Sequence, residues 1–290
     1  MSKIKLKNIS KKKVFIIGSE GFLGSLLKNK IKNNKSFFLL NNNIKKRVDF
    51  SNLKYSNKIL KKTNPDIIIN CAAKTNIEFC EKNKRKALDS NSIIVKNLSN
   101  FCQKHNKKLI QISTDHVYNK KNKLNVERNH SITNYYSYSK LRGEFFAKKC
   151  NALILRVNFF GYNKKNKNSL INWILNTNKN KTAISLFKDI YFSPLHITTL
   201  TSIIIKILDT KKTGIFNLGS ANKISKSNFI LSIAKKIKLK LNYKLEKYSD
   251  LKKTTTRRPL NMSMNIKKFE KNFNIKLPKI EDEIKKFVIK

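Results

Sequence analysis

A doubly wound parallel α/β sheet followed by a smaller C-terminal domain is the architecture this sequence predicts, on three observations. Short, nearly unbroken apolar runs alternate with longer helical patterns through the first half, as in a parallel sheet with crossover helices. The first of these runs ends in a glycine-rich turn. Beyond residue 160 the alternation weakens and polar stretches lengthen, so that part needs a different organisation.

The apolar runs predict strands over 13–17, 36–40, 66–70, 108–113 and 152–157. A strand covered on both faces has no polar side to show, so it reads as a continuous apolar run. Helices are predicted over 24–31, 56–62, 87–104 and 138–149. The stretch 162–168 is polar and reads as an exposed loop. Later, 214–218 reads as another strand and 226–237 as an amphipathic helix. Arg257-Arg258-Pro259 marks a loop over 254–261, and the tail 281–290 reads as a closing helix.

A chain of 290 residues with 40% hydrophobic content can bury a sizeable core, and 10% aromatic residues argue against disorder. No apolar run approaches the ~20 residues of a membrane span. The basic N-terminus precedes an apolar run too short for a signal peptide, so a cytoplasmic location is expected. Cys71, Cys80, Cys102 and Cys150 form no CxxC pair and no zinc-ligand spacing with the histidines, which predicts free thiols and no metal. The net charge of +47 suggests nucleic acid at first sight. Yet arginine stands only at 47, 85, 128, 142, 156, 257 and 258, whereas lysine is scattered among asparagines throughout. Dedicated nucleic-acid sites favour the arginine fork. Lys and Asn share A/T-rich codons, so the charge reads as compositional drift and no specific nucleic acid is expected. It still favours a multiply anionic ligand.

The chemistry lies in three blocks. The first strand runs into Gly18-Ser19-Glu20-Gly21-Phe22-Leu23-Gly24, which holds three of the seven glycines. A dinucleotide site needs this order of strand, tight turn and helix. Gly18 permits the turn, Gly21 lets backbone approach a pyrophosphate, and Gly24 lets the helix pack close. A Rossmann-like, NAD(P)-binding first domain follows. After the second strand, Asn41-Asn42-Asn43-Ile44-Lys45-Lys46-Arg47 holds no acid for a ribose hydroxyl and three cations, so NADP(H) is favoured, with NAD(H) the alternative. Asp49-Phe50 comes next, where an Asp can accept from an adenine amino group. Ser113-Thr114-Asp115 closes a strand, and Tyr136-Ser137-Tyr138-Ser139-Lys140 opens a helix. Tyr136 and Lys140, four apart, share a face. Lys140 is expected to lower the Tyr136 pKa and to hold the nicotinamide ribose. Tyr136 then serves as general acid for a carbonyl receiving hydride, and Thr114 donates a second hydrogen bond to that oxygen. Tyr135 and Tyr138 have no Lys four residues on.

With those residues in view, the sequence resembles the extended short-chain dehydrogenases/reductases, and within them the dTDP-4-dehydrorhamnose reductase family. The resemblance runs through GSEGFLG, DIIINCAAKTNIEFCE, LIQISTDHVYN, YSYSKLRGE, ALILRVNFFG, YFSPLHI, GIFNLGS and RRPLNMSM. It implies that Phe22, Leu23, Ala72, Ala73, Lys74 and Asn91 lie at the cofactor, and that Asn158, Phe159 and Arg258 lie near the substrate. It implies a dinucleotide-binding domain over 1–160 and a mainly substrate-binding region over 161–290, of which about 190–220 returns to the first domain. The implied reaction is NAD(P)H-dependent reduction of the 4-keto group of a dTDP-linked 6-deoxyhexose, a step toward dTDP-rhamnose. There are departures. His116 stands where the family has an aromatic residue, and Asn158-Phe159-Phe160 replaces a Ser-Trp-containing stretch. Both bear on the sugar rather than on the hydride chemistry. An epimerase or dehydratase on the same scaffold is the alternative, although a dehydratase would carry a second acid where His116 stands. A non-catalytic, NADP-binding regulatory subunit is another, against which the set Thr114, Tyr136 and Lys140 argues. The oligomeric state is open, a homodimer being one option.

Overall fold

The six apolar runs read as strands all lie in one parallel sheet. The computed structural model describes residues 11–40, 48–121, 123–164, 169–179, 183–251 and 256–289. Through the first part the elements are β1 (Lys12–Ile17), α1 (Phe22–Lys32), β2 (Phe37–Leu39), α2 (Leu53–Thr63), β3 (Ile67–Asn70), α3 (Ile77–Lys82), α4 (Lys84–Leu88), α5 (Ile94–His105), β4 (Lys108–Thr114), α6 (Tyr135–Lys148) and β5 (Leu153–Val157). Then come β6 (Phe159–Phe160), α7 (Leu170–Lys179), β7 (Ile184–Phe187), β8 (Tyr191–Phe192), β9 (Leu195–His196), α8 (Ile197–Lys206) and β10 (Gly214–Leu218). The chain closes with β11 (Ile224–Ser225), α9 (Lys226–Lys236), β12 (Tyr243–Glu246), α10 (Lys267–Phe273) and α11 (Ile280–Lys285).

The sheet order is β2-β1-β3-β4-β5-β10. Alternate side chains of each strand feed opposite faces. Val14, Ile16, Ile67, Ile69, Ile110 and Leu155 pack with α1 and α8 in one core. Phe15, Ile17, Ile68, Leu109 and Ile154 pack with α2, α5 and α6 in another. Strand order reverses at β1, which pairs with β2 on one side and β3 on the other, and a parallel sheet binds ligands at the carboxyl ends beside such a reversal. A third core joins Phe160, Ile171, Leu186, Phe192, Phe229 and Ile284 under the later part of the chain.

Three expectations need correction. The helix predicted over 87–104 is not continuous. A π-helical stretch, Asp89–Ile93, separates α4 from α5. Here α6 comes so near that a Cβ on Gly143 would stand 2.3 Å from the Asn91 carbonyl oxygen. Helix α6 begins at Tyr135 rather than 138 because Asn134 and Ser137 form a capping box. The last helix, α11, is Ile280–Lys285 and stops short of the predicted 290. The helices α3, α7 and α8 had no distinct sequence signal. The expected loop 162–168 lies partly outside the described residues, as do 254 and 255 of the second.

Candidate active site

Strand β1 delivers the chain to Gly18, whose φ of +78° suits glycine. A Cβ there would stand 2.7 Å from the backbone nitrogen of Ala72, at the end of β3. At Gly24 it would stand 2.2 Å from the Gly18 carbonyl oxygen, so turn and helix are in backbone contact. Gly21 caps α1 without a side-chain hydrogen bond, and the first turn holds no acid. Free N–H groups and an uncompensated helix dipole at this point suit a pyrophosphate. The heptad thus fits a dinucleotide by its own packing.

A cleft of about 500 Å³ opens beside this turn, lined among others by Gly21, Phe22, Leu23, Gly24, Ala73, Thr114, Tyr136 and Lys140. Asn91, projecting from the π-helical stretch, clasps the wall after β3. Its amide exchanges hydrogen bonds with the Lys74 backbone at 2.8 and 2.9 Å and donates to Ser139 Oγ at 2.9 Å. Lys74 turns its ammonium over the Phe79 ring, 5.4 Å from the centroid, while Ala72 backs Gly18. Asp49 Oδ1 accepts from Ser51 N and Oγ at 2.9 and 2.7 Å, and Phe50 packs edge-on against Phe15 inside the core. The stretch 41–47, on which the cofactor preference was read, lies outside the described residues.

The capping box of α6 fixes the first helical turn, and with it Tyr136, while one turn further the buried Lys140 donates to the Ile112 carbonyl at 2.8 Å. Thr114, at the end of β4, lines the same cleft as Tyr136 and lies near enough to the phenol to pull its pKa down. The strand end, first helical turn and second helical turn therefore meet in one cleft. The expectation that Lys140 lowers the Tyr136 pKa does not hold. Burial pushes the phenol above its usual range, and Asp115 and Cys80 push the same way, against Thr114 alone. Lys140 is turned toward the Ile112 carbonyl, and burial brings its own pKa down to about 8 even though Glu144 supports the charge.

Asn158 and Phe159 both line the cleft. Asn158 donates to Asp115 Oδ2 at 2.6 Å, and Phe159 meets Phe22 edge-on. Arg258 is not among the cleft-lining residues. It pairs with Glu78 at 2.6 Å, yet its charge reaches both His116 and Lys226. His116 sets its ring edge-on to Tyr136, 5.5 Å between centroids, and burial holds it down to about 3, so the imidazole is neutral. Sequence reasoning passed over Cys71, Thr75 and Asn163 in the cleft wall, and Lys226, which opens α9 and faces Asp115. The amphipathic pattern over 226–237 put residue 226 at a helix start, but nothing local says what it faces. The four cysteines are free, and burial pushes Cys71 up to about 12.

Behind the cleft lies a buried ion pair. Arg156 of β5 grips Glu144 of α6 with Nε at 2.9 Å and Nη2 at 2.7 Å. Ser113 donates to the same carboxylate at 2.5 Å, and Tyr118 bridges Arg156 to Asn217 of β10. A planar fork on a carboxylate with its remaining lone pairs filled is the arrangement in which a buried pair is tolerable.

The family model of the RmlD substrate binding domain matches residues 12–290. A probable low-salt glycan biosynthesis reductase of Haloferax volcanii is 26% identical over 190 residues, 63% of this chain and 63% of its own length. The dTDP-4-dehydrorhamnose reductase of Aggregatibacter actinomycetemcomitans is 26% identical over 238 residues, 76% of this chain and 78% of that one. Among solved structures, a dTDP-4-dehydrorhamnose reductase from Bacillus anthracis in complex with NADP superposes with a TM-score of 0.85 at 24% identity, covering 96% of this chain and 98% of the other. A hypothetical dTDP-4-dehydrorhamnose reductase from Sulfolobus tokodaii gives 0.81 at 25% identity, covering 96% and 100%.

Proposed function

Because the chain belongs to the RmlD substrate binding domain family, we propose that it is an NADPH-dependent reductase of a nucleotide-linked 4-keto-6-deoxy sugar, acting in the manner of a dTDP-4-dehydrorhamnose reductase. The observation that carries this reading is the meeting of Thr114, Tyr136 and Lys140 in the cleft beside the Gly18–Gly24 turn. Residues 1–160 form the dinucleotide-binding part and 161–290 mainly the substrate part, with about 190–220 returning to the sheet. When bound, the nicotinamide supplies a hydride to the carbonyl carbon. The chain does the rest. The turn and the N-terminus of α1 hold the pyrophosphate. Tyr136 gives its proton to the carbonyl oxygen, and a phenol held above its usual pKa keeps that proton until the oxygen becomes strongly basic. Thr114 donates a hydrogen bond to the same oxygen, where fixed donors count most. Lys140 holds the nicotinamide ribose. Among the described residues no helix is long and apolar enough to cross a membrane. The substrate in this reading is a freely diffusing nucleotide-sugar, which supports a place in the cytoplasm.

The test is direct. Incubated with NADPH and dTDP-4-keto-6-deoxymannose made in situ, the protein is expected to oxidise the cofactor and form dTDP-rhamnose in equal amounts, with NADPH binding tighter than NADH by calorimetry. NADPH that binds tightly but is never consumed, with this or any other nucleotide-linked keto-sugar, would replace the reductase reading with that of a binding subunit.

A further inference from the structure

Helix α6 has a second working face. Tyr136, Lys140, Gly143 and Ala147 are buried along one side of it. Tyr138, Leu141, Arg142 and Phe145 fall three or four residues apart and so form the opposite stripe. All four line another cavity, of about 550 Å³, which shares no residue with the catalytic cleft. That volume lies within the roughly 300–1,000 Å³ of small-molecule sites.

The cavity sets aromatic and apolar surface beside unpaired cations. Phe145 and Ile132 are 59% and 58% exposed on its wall, next to Tyr138 and Phe146. Lysine is the default cation of this chain, yet three of the seven arginines, Arg128, Arg142 and Arg156, line this one cavity. A guanidinium presents a planar fork that matches phosphate oxygens, which an ammonium does not. The two acids of the wall are already committed. Glu144 holds Arg156 with both oxygens and accepts from Ser113, and Glu127 accepts from the backbone N–H of Asn217 at 3.0 Å. Among the described residues the arginines paired with carboxylates are Arg85, Arg156 and Arg258, so Arg128 and Arg142 keep their charge for a ligand. Arg142 donates to the Tyr138 hydroxyl at 3.3 Å and lies over the Phe146 ring, 5.9 Å from its centroid, which places the guanidinium at the edge of the aromatic floor.

These features select the occupant. A second copy of the chain fits poorly, because a two-fold contact would set Arg128, Arg142 and Lys148 against their own counterparts. The cations require an anion, and the exposed rings favour one that carries a flat aromatic group. We propose that this cavity is a nucleotide-binding site separate from the dinucleotide cleft, with the base against Phe145 and Tyr138 and the phosphates in the forks of Arg128 and Arg142. The site goes beyond the reductase reading and does not depend on it. Its wall reaches the catalytic strand, since Glu144 accepts from Ser113, the residue before Thr114.

The probe is ATP, titrated by calorimetry into the full chain at physiological salt with NADPH and dTDP held saturating. One ATP is expected to bind per chain. Arg128→Ala and Arg142→Ala should each weaken it at least about tenfold, since each removes a charge-assisted contact. Arg142→Lys, which keeps the charge and loses the fork, should weaken it as well. Phe145→Ala should weaken ATP but leave tripolyphosphate unchanged, because only the nucleotide has a base to stack. These side chains are exposed, so the thermal melting of the variants and their NADPH affinity should match the wild type. Absence of saturable ATP binding, or an affinity indifferent to both arginine changes, overturns the site. Tripolyphosphate binding as tightly as ATP, with Phe145→Ala silent, overturns it too and leaves a patch of positive charge. Binding that follows the arginine and phenylalanine changes supports the site even if no keto-sugar is ever reduced.

Discussion

Tyr136 and Tyr138 lie two positions apart on α6 and face opposite ways. Tyr136 is buried against His116 at the cleft, whereas Tyr138 is half-exposed, meets the Tyr135 ring at a tilt and accepts from Arg142 at 3.3 Å. Removing the Tyr136 hydroxyl takes away a proton donor and almost no volume. Tyr136→Phe is therefore expected to lower kcat by on the order of a hundredfold or more with NADPH binding intact, as steady-state kinetics and calorimetry would show. Tyr138→Phe should change little, and equal effects of the two would remove Tyr136 from the mechanism. Which tyrosine lines the cleft with Thr114 and Lys140 was legible in the sequence, because, of Tyr135, Tyr136 and Tyr138, only Tyr136 has a lysine four residues on. What acts on its pKa was not. Asp115 and Cys80 reach the phenol through space, and Lys140 is turned to a carbonyl that only the fold places in its way.

Strands and turn were more legible than helix interiors. A strand buried on both faces is largely apolar, so the runs 14–17 of β1 and 67–69 of β3 announce themselves in the sequence. The π-helical stretch does not. It lies where α6 comes closest, at Gly143 on another helix, and no local pattern at 89–93 encodes that contact. The glycine turn is the element most exposed to a single change. In Gly24→Ala a methyl group would stand 2.2 Å from the Gly18 carbonyl oxygen, so α1 must move off the turn. The pyrophosphate would then lose its N–H donors. The expected outcome is a loss of at least about tenfold in NADPH affinity, since one charge-assisted hydrogen bond is worth about 1.5–3 kcal/mol. Calorimetry would show it, and an unchanged Kd would mean that the turn tolerates a methyl group and is looser than the geometry says.

For the whole molecule, the surplus of lysine is the dominant physical property. If the net charge of +47 is drift, affinity for DNA should fall steeply with salt and be indifferent to sequence. Fluorescence anisotropy against two unrelated duplexes at low and at physiological salt would show this. A sequence-selective complex surviving at physiological salt would overturn it. The later part of the chain was the least legible, because β6, β8, β9 and β11 have two residues each, too few for any periodicity to appear. Its links back to the sheet follow the same rule of long separation. Strand β10 pairs with β5 along its full length, yet the chain visits α7, α8 and four other strands between them. That detour has a cost during synthesis. At about 5–20 residues per second, the roughly sixty residues from β5 to β10 leave the ribosome over several seconds, and throughout that time β5 is an open edge, apolar but for Arg156, on the nascent chain. The half-made sheet can bind another such edge before its own last strand exists, so the time spent making residues 158–213 is the window in which a chaperone has most to protect.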